Sequence, residues 1–214
     1  MTNDNLEHSI AVVRAAWVES PYYEQAEALT HIFWGESTIF LRLFNNLDLT
    51  ETIDLACGHG RHAEFVVREC VKLHLFDLVE ENLDVCRERL SGHRNVEFHF
   101  GNGSNFRPLS DRTVSSIFCY DAMVHFSQDI IEAYLVDAAR VLRPGGMALL
   151  HHSNYDAPEG VPYGQNPHAR NKMTQARFCL LAGASGLEVE ESCVIDWGGY
   201  TDLDCVTLLR KPSD

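Results

Sequence analysis

The stretch IDLACGHGRHAEF, residues 53–65, constrains the fold more than any other part of the chain. A short apolar run reads as a buried strand, enters two closely spaced glycines, Gly58 and Gly60, and leaves into a helical pattern. Glycine adopts backbone angles closed to other residues, so such a turn lets the main chain approach a ligand. In an open α/β sheet this turn falls at the carboxyl end of a strand, where nucleotide-like ligands bind.

The surrounding texture supports such a sheet. From residue 52, short apolar runs alternate with amphipathic segments. TIDLAC, VKLHLFDL, VEFHF, VSSIFCYDA and MALLHHSN read as five strands. Helices are predicted from about 61 to 70, over EENLDVCRERL with Leu83, Cys86 and Leu90 on one face, and over SQDIIEAYLVDAARVL. That last segment carries Ile130, Ile131, Tyr134, Leu135, Ala138 and Leu142 at helical spacing, with Ser127 as N-cap and RPGG as its end. After a polar loop over 154–171 come a helix near 173–184 and two runs, LEVEESCVIDW and LDCVTLLRK, expected to pair antiparallel across GGYTD. Residues 5–46 hold three further helical patterns rich in aromatic residues. Strands alternating with helices predict an α/β, Rossmann-like, mostly parallel sheet covered on both faces. The expected organisation is one domain over 1–214, with a helical cap at 1–50 and a ligand-binding core at 51–214.

Charge narrows the partners. Seventeen Lys and Arg against 31 Asp and Glu give a net charge of −14. Nucleic-acid binders need basic patches to displace counterions, and no run of four basic residues occurs, so no nucleic-acid partner is expected. Anionic membrane surfaces are disfavoured by the same sign, and no apolar stretch approaches the roughly 20 residues of a spanning helix. The first residues, MTNDNLEHSIAVV, lack the features of a secretory signal. Seven scattered cysteines without a CxxC pair read as buried free thiols in a reducing, cytoplasmic setting. A small neutral or cationic substrate suits this balance. Oligomeric state leaves no mark in the sequence.

Gly58, Gly60 and Ala63 also satisfy a dinucleotide fingerprint, with Asp77 as a ribose acceptor. A Walker-type phosphate loop is excluded, because no Gly-Lys-Ser/Thr follows. Wider context favours another ligand. Asp54, Ala56, Gly58 and Gly60 resemble the acid-x-Gly-x-Gly-x-Gly motif of class I S-adenosylmethionine-dependent methyltransferases, with Ala56 in place of the first glycine. Asp77 in LFDLVEEN, then FGNGSNF, CYDAMVHF and VLRPGG follow in that family's order, and the final hairpin resembles its seventh strand. The resemblance covers roughly residues 50–210. It implies a seven-stranded sheet with an antiparallel last strand, S-adenosyl-L-methionine as cofactor, and O- or N-methylation of a small molecule. A binding protein without catalysis and an NAD(P)-dependent oxidoreductase are the alternatives.

The resemblance also implies roles. Asp54, Ala56, Gly58 and Gly60 would meet the amino-acid part of the cofactor. Asp77 would take the ribose hydroxyls, Asn102 and Gly103 the adenine edge, Leu78 or Phe106 its face, and Tyr120 the space beside it. His125 is the candidate general base, followed by Asp121. His151 and His152 must point to opposite faces of their strand, and His152 is taken as the one lining the substrate pocket. Tyr22, Tyr23 and Trp34 are candidates for a lid, with Arg170 on the opposite wall. His59 lies in the glycine loop and His62 is expected on a helix surface. No metal ligands are assigned.

Overall fold

Strand β1 (Glu51–Leu55) is buried along almost its whole length rather than on alternate residues, as a central parallel strand must be. It pairs in parallel with β2 (Lys72–Asp77) on one side and β4 (Val114–Cys119) on the other. β3 (Val96–Phe100) continues beyond β2, and β5 (Leu142–Ser153) beyond β4. β7 (Tyr200–Arg210) runs antiparallel between β5 and β6 (Glu188–Trp197). The sheet order is β3-β2-β1-β4-β5-β7-β6, which is the mostly parallel Rossmann-like architecture expected. Strand order reverses between β1 and β4, so the carboxyl ends of these two strands form the natural ligand crevice. The computed structural model describes residues 3–213.

The helices are α1 (Asn3–Trp17), α2 (Tyr22–Glu27), α3 (Thr30–Phe33), α4 (Ile39–Phe44), α5 (Ala63–Val66), α6 (Glu80–Arg89), α7 (Gln128–Val141) and α8 (Gln175–Ala184). The three helical patterns expected before β1 are thus four helices. A chain turn over Gly35 to Ser37 separates α3 from α4, and the Thr38 hydroxyl caps α4 by accepting from Leu41 N at 3.2 Å. The helix predicted over 61–70 shrinks to α5, because its end tightens into a turn in which Glu69 N donates to Val66 O. Ser127 takes the N-cap position of α7, but its hydroxyl bonds Asp129 instead of the helix backbone. RPGG falls within the span of β5, where a register shift opposite Val114 and Ser116 absorbs it.

Two cores flank the sheet. On one face α7 and α8 bury Ile131, Leu135 and Phe178 against Ile53, Ile117 and Leu150. On the other, Phe40 and Phe44 of α4 join Val66, Leu83 and Cys86 against Leu75, Phe118 and Leu149. Val13 of α1 reaches the first core and Phe33 of α3 the second, so the N-terminal helices arch over the carboxyl ends of β1 and β4. All seven cysteines are free thiols, five of them buried. Among the described residues, no helix is long and apolar enough to cross a membrane.

Candidate functional site

The glycine loop leaves β1 through three left-handed residues: Ala56 at φ 57°, Gly58 at 53° and Gly60 at 76°. Glycine accepts such angles without strain, whereas Ala56 pays about 1–2 kcal/mol for its Cβ. Asp77 ties the loop to the end of β2. Its Oδ2 accepts from Gly58 N at 2.9 Å; its Oδ1 accepts from Val79 N at 2.9 Å and from Asn82 Nδ2 at 3.1 Å. Burial raises the Asp77 carboxyl pKa, and the N–H donors of Val79 and Gly58 act against that rise. Asp54, directly below the loop, is 2% exposed, and its Oδ2 has no hydrogen-bond partner. Burial and then the nearby Asp77 raise its pKa well above the carboxylate range. An unsatisfied buried carboxyl oxygen costs about 1–3 kcal/mol and marks a place for a missing donor.

A cleft runs between this loop and the N-terminal helices. Ala56, Gly58, Asp77, Leu78, Tyr120, Asp121 and His125 line it from the sheet side; Val13, Trp17, Tyr22 and Tyr23 line it from above. Tyr23 stacks on His59 with ring centroids 4.5 Å apart, and its hydroxyl accepts from Asn82 Nδ2 at 2.9 Å.

Asp121, just beyond β4, sits at φ 58°, an unusual conformation for a residue other than glycine or asparagine. Its carboxylate receives the Tyr22 hydroxyl and the Arg61 guanidinium, the latter at 2.8 Å. Arg61 also lies 4.7 Å from the centroid of the Phe33 ring and donates to Ala26 O at 3.2 Å. Burial, and then the Asp121 charge, push the Tyr22 hydroxyl far above its ordinary pKa, so it remains a donor. Behind Asp121 stands a buried relay. The backbone N of Asp121 donates to His151 Nδ1 at 3.1 Å, and His151 Nε2 donates to Asp204 Oδ2 at 3.0 Å. Arg170 donates to the same carboxylate through Nε at 2.9 Å and Nη2 at 2.5 Å. A carboxylate behind an imidazole fixes its tautomer, here leaving Nδ1 as the acceptor.

His125 occupies the short 3-10 turn at Met123–His125 and is buried. Its Nδ1 donates to Ala169 O at 2.9 Å, which leaves Nε2 with a lone pair. Burial, and then the positive charge of Arg170, lower its pKa to about 4. The ring lies 4.5 Å from that of Trp17.

Several expected positions move. His152 does not line the cleft: it stacks on Phe178 at 3.7 Å under α8 and bonds Thr207 Oγ1 at 2.9 Å. His151 points to the opposite face of β5, as strand alternation requires, and is buried behind Asp121 rather than lining the cleft. Arg170 is 2% exposed and holds Asp204 rather than forming an outer wall. Trp34 stays outside the cleft and donates from Nε1 to His62 Nδ1 at 3.0 Å. His62 is 4% exposed rather than on a helix surface, and its Nε2 has no partner. Burial, then the charge of Arg61, hold its pKa well below 6.5. Asn102 is exposed, and its carbonyl oxygen already accepts from Ser104 N, Ser104 Oγ and Asn105 N, so no acceptor is left there for an adenine amino group. Gly103 is buried beneath Ile10, whose Cγ2 would stand 2.7 Å from an added Cβ. Phe106 packs on Phe76 in the core. Arg61 is not singled out by the sequence reading. Only the position of Arg61, directly after Gly60, carried a local signal.

A seven-stranded sheet of this order, with a glycine loop after β1 and a buried acid closing β2, defines the class I S-adenosylmethionine-dependent methyltransferase fold. Residues 53–146 match a family model described as "Methyltransferase domain". A demethylmenaquinone methyltransferase of Tropheryma whipplei is 28% identical over 112 residues, which span 50% of this chain and 45% of that protein. The chain therefore matches less than half the length of this curated relative. Among solved structures, a SAM-dependent methyltransferase of Aquifex aeolicus superposes with a TM-score of 0.64 at 17% identity, covering 88% of this chain and 97% of the other. Geranyl diphosphate C-methyltransferase of Streptomyces coelicolor, solved with Mg2+, geranyl diphosphate and S-adenosyl-L-homocysteine, gives 0.67 at 14% identity, covering 93% and 86%.

Proposed function

We propose that the chain is a methyltransferase that uses S-adenosyl-L-methionine to methylate a small molecule, on oxygen or nitrogen. The observation that carries this reading is the junction, in one cleft, of the left-handed loop at Ala56–Gly60, the acid Asp77 and the histidine His125. The partnerless Asp54 oxygen beneath the loop fits a cofactor bearing an amino group. Asp77 Oδ2 has accepted a single N–H, so it retains capacity for a ribose hydroxyl, and Leu78 beside it offers an apolar surface to a base. An NAD(P) reading is weaker, because the loop leads into α5, a helix of four residues, which is a poor pyrophosphate site.

When bound, the cofactor supplies a sulfonium methyl for in-line displacement, so positioning supplies most of the rate. Tyr22, Tyr23 and Trp17 cover the cleft from above and would exclude water. Asp121, held by Arg61 and Tyr22, fixes the wall opposite the loop. His125 Nε2, with its partner Nδ1 committed to Ala169 O, is the group placed to accept an acceptor proton. The aromatic lining and the net charge of −14 favour a small substrate over a nucleic acid. Two of the three similar proteins are named for small-molecule substrates, demethylmenaquinone and geranyl diphosphate, which supports a small-molecule substrate here. Seven free thiols support a reducing, cytoplasmic setting.

Calorimetric titration with S-adenosylhomocysteine and with NAD tests the cofactor. Labelled methyl transfer across a metabolite panel tests the activity. Binding of NAD instead, or homocysteine-analogue binding without transfer to any acceptor, rejects the corresponding half of this reading.

A further inference from the structure

We propose that His74, Glu97 and His99 form a site for a first-row divalent transition-metal ion, with zinc as its representative, on the β2–β3 edge of the sheet and outside the cleft. The parallel register sets His74 opposite Glu97, and Phe76 opposite His99, so three donors from two strands meet on one face. His74 Nδ1 lies 2.9 Å from His99 Nε2 and 3.4 Å from Glu97 Oε2; the latter two atoms are 3.9 Å apart. Tetrahedral zinc with bonds of about 2.0–2.1 Å spaces its ligand atoms roughly 3.3 Å apart. The three separations bracket that value, and shifts of about half an ångström would equalise them.

The groups around the three donors are arranged as ligand supports. Glu51 Oε1, on β1, lies 3.1 Å from His74 Nε2 and takes its proton, which turns the Nδ1 lone pair towards the other two donors. A carboxylate in this place behind an imidazole is the usual partner of a metal-bound histidine. Phe76 stacks on His99 at 4.5 Å and 14°, fixing the plane of that ring. Lys72 Nζ binds the other Glu97 oxygen, Oε1, at 2.9 Å, leaving Oε2 to the histidines. The His74 side chain is fully buried, His99 is 12% exposed and Glu97 49% exposed, so an ion has access from solvent and water can take a fourth position. Two imidazoles and one carboxylate suit zinc and its neighbours better than magnesium or calcium, which prefer oxygen throughout. Because β3 is the outermost strand, a bound ion would clip the sheet edge to β2.

The test uses the full chain stripped by a chelator, titrated with Zn2+ by calorimetry and with Co2+ by visible absorption. One equivalent of zinc should bind and raise the thermal midpoint. Glu51→Ala should weaken binding about tenfold to hundredfold, and His99→Ala should weaken it further. Cobalt should give the intense d–d bands of a four-coordinate nitrogen and oxygen site. If His99→Ala does not fold, Glu97→Gln at a half-exposed side chain gives the same reading. Absence of binding, binding unchanged in these variants, or a thiolate-to-cobalt charge-transfer band would each overturn the proposal. None of these readouts depends on methyl transfer.

Discussion

Tyr23 lies against Gly58 so closely that its Cε1 stands 2.9 Å from the position a Cβ on that glycine would take. The contact joins α2 to the loop that the proposed cofactor must reach, and Gly58 holds a left-handed φ of 53°. A β-branched side chain there meets two obstacles, the tyrosine ring and a backbone strain of about 1–2 kcal/mol. Gly58→Val should therefore leave a folded protein with little measurable affinity for S-adenosylhomocysteine. Circular dichroism checks the fold and calorimetry the affinity; native affinity in a folded variant would place the cofactor elsewhere.

Asp77 has two duties, since its carboxylate anchors Gly58 and Val79 as well as facing the cleft. Hydrogen bonds to a charged group are worth about 1.5–3 kcal/mol. Asp77→Ala should lower affinity for S-adenosylhomocysteine about tenfold to hundredfold, and should also lower stability by about 1–3 kcal/mol through the freed loop N–H groups. Asp77→Asn should be nearly as costly, because either orientation of its amide turns an NH2 towards a backbone N–H. A twofold loss or less would mean that the ribose is held by another group.

Much of this arrangement could be read from the sequence, and the failures have a common cause. The strands show as apolar runs, α7 shows as a clean apolar stripe, and the glycine loop shows by its spacing. Which face of a strand meets the cleft does not show, because a parallel sheet is covered on both sides and its pattern carries no polar face. Hence His151 and His152 were separable by alternation but not assignable. His62 looked like a surface residue because its burial depends on Trp34, 28 positions earlier, folding onto it. His74 and His99 lie 25 positions apart and meet only through strand register, which a single sequence does not state.

The pairing of Arg61 with Asp121 should be energetically real rather than a surface ornament, since the two side chains are only 11% and 1% exposed. Asp121→Asn is the clean probe: asparagine tolerates the left-handed φ of this position, so the backbone is not disturbed. Asp121→Asn and Arg61→Met should each destabilise the chain, with a coupling energy of about 1.5–3 kcal/mol in a double-mutant cycle. Denaturant melts of the four proteins measure it. A coupling below about 0.5 kcal/mol would show that Tyr22 and the loop backbone hold Asp121 without Arg61.

His125 gives the sharpest pH test. The net charge of −14 would by itself suggest a raised imidazole pKa, but burial and the facing Arg170 lower it from 6.5 to about 4. Above that value Nε2 keeps its lone pair, because the Nδ1 proton is committed to Ala169 O. Turnover by the proposed enzyme should therefore hold from neutral pH down to about 5 and fall through about 4, not through 6.5. Stability follows the same group with a definite sign: the unfolded imidazole binds its proton at about 6.5 and the folded one at about 4. The contribution is complete above about pH 6.5 and is lost progressively as pH falls towards 4, where the folded ring also titrates. His125→Ala should reduce kcat about 100-fold, a typical general-base loss, while cofactor affinity stays near native because the loop and Asp77 hold that ligand. The variant's remaining rate should no longer show the acid limb near pH 4. A native-like kcat in His125→Ala, or an acid limb unchanged in that variant, would make His125 a packing residue and leave positioning by Asp121 and the loop to explain the reaction.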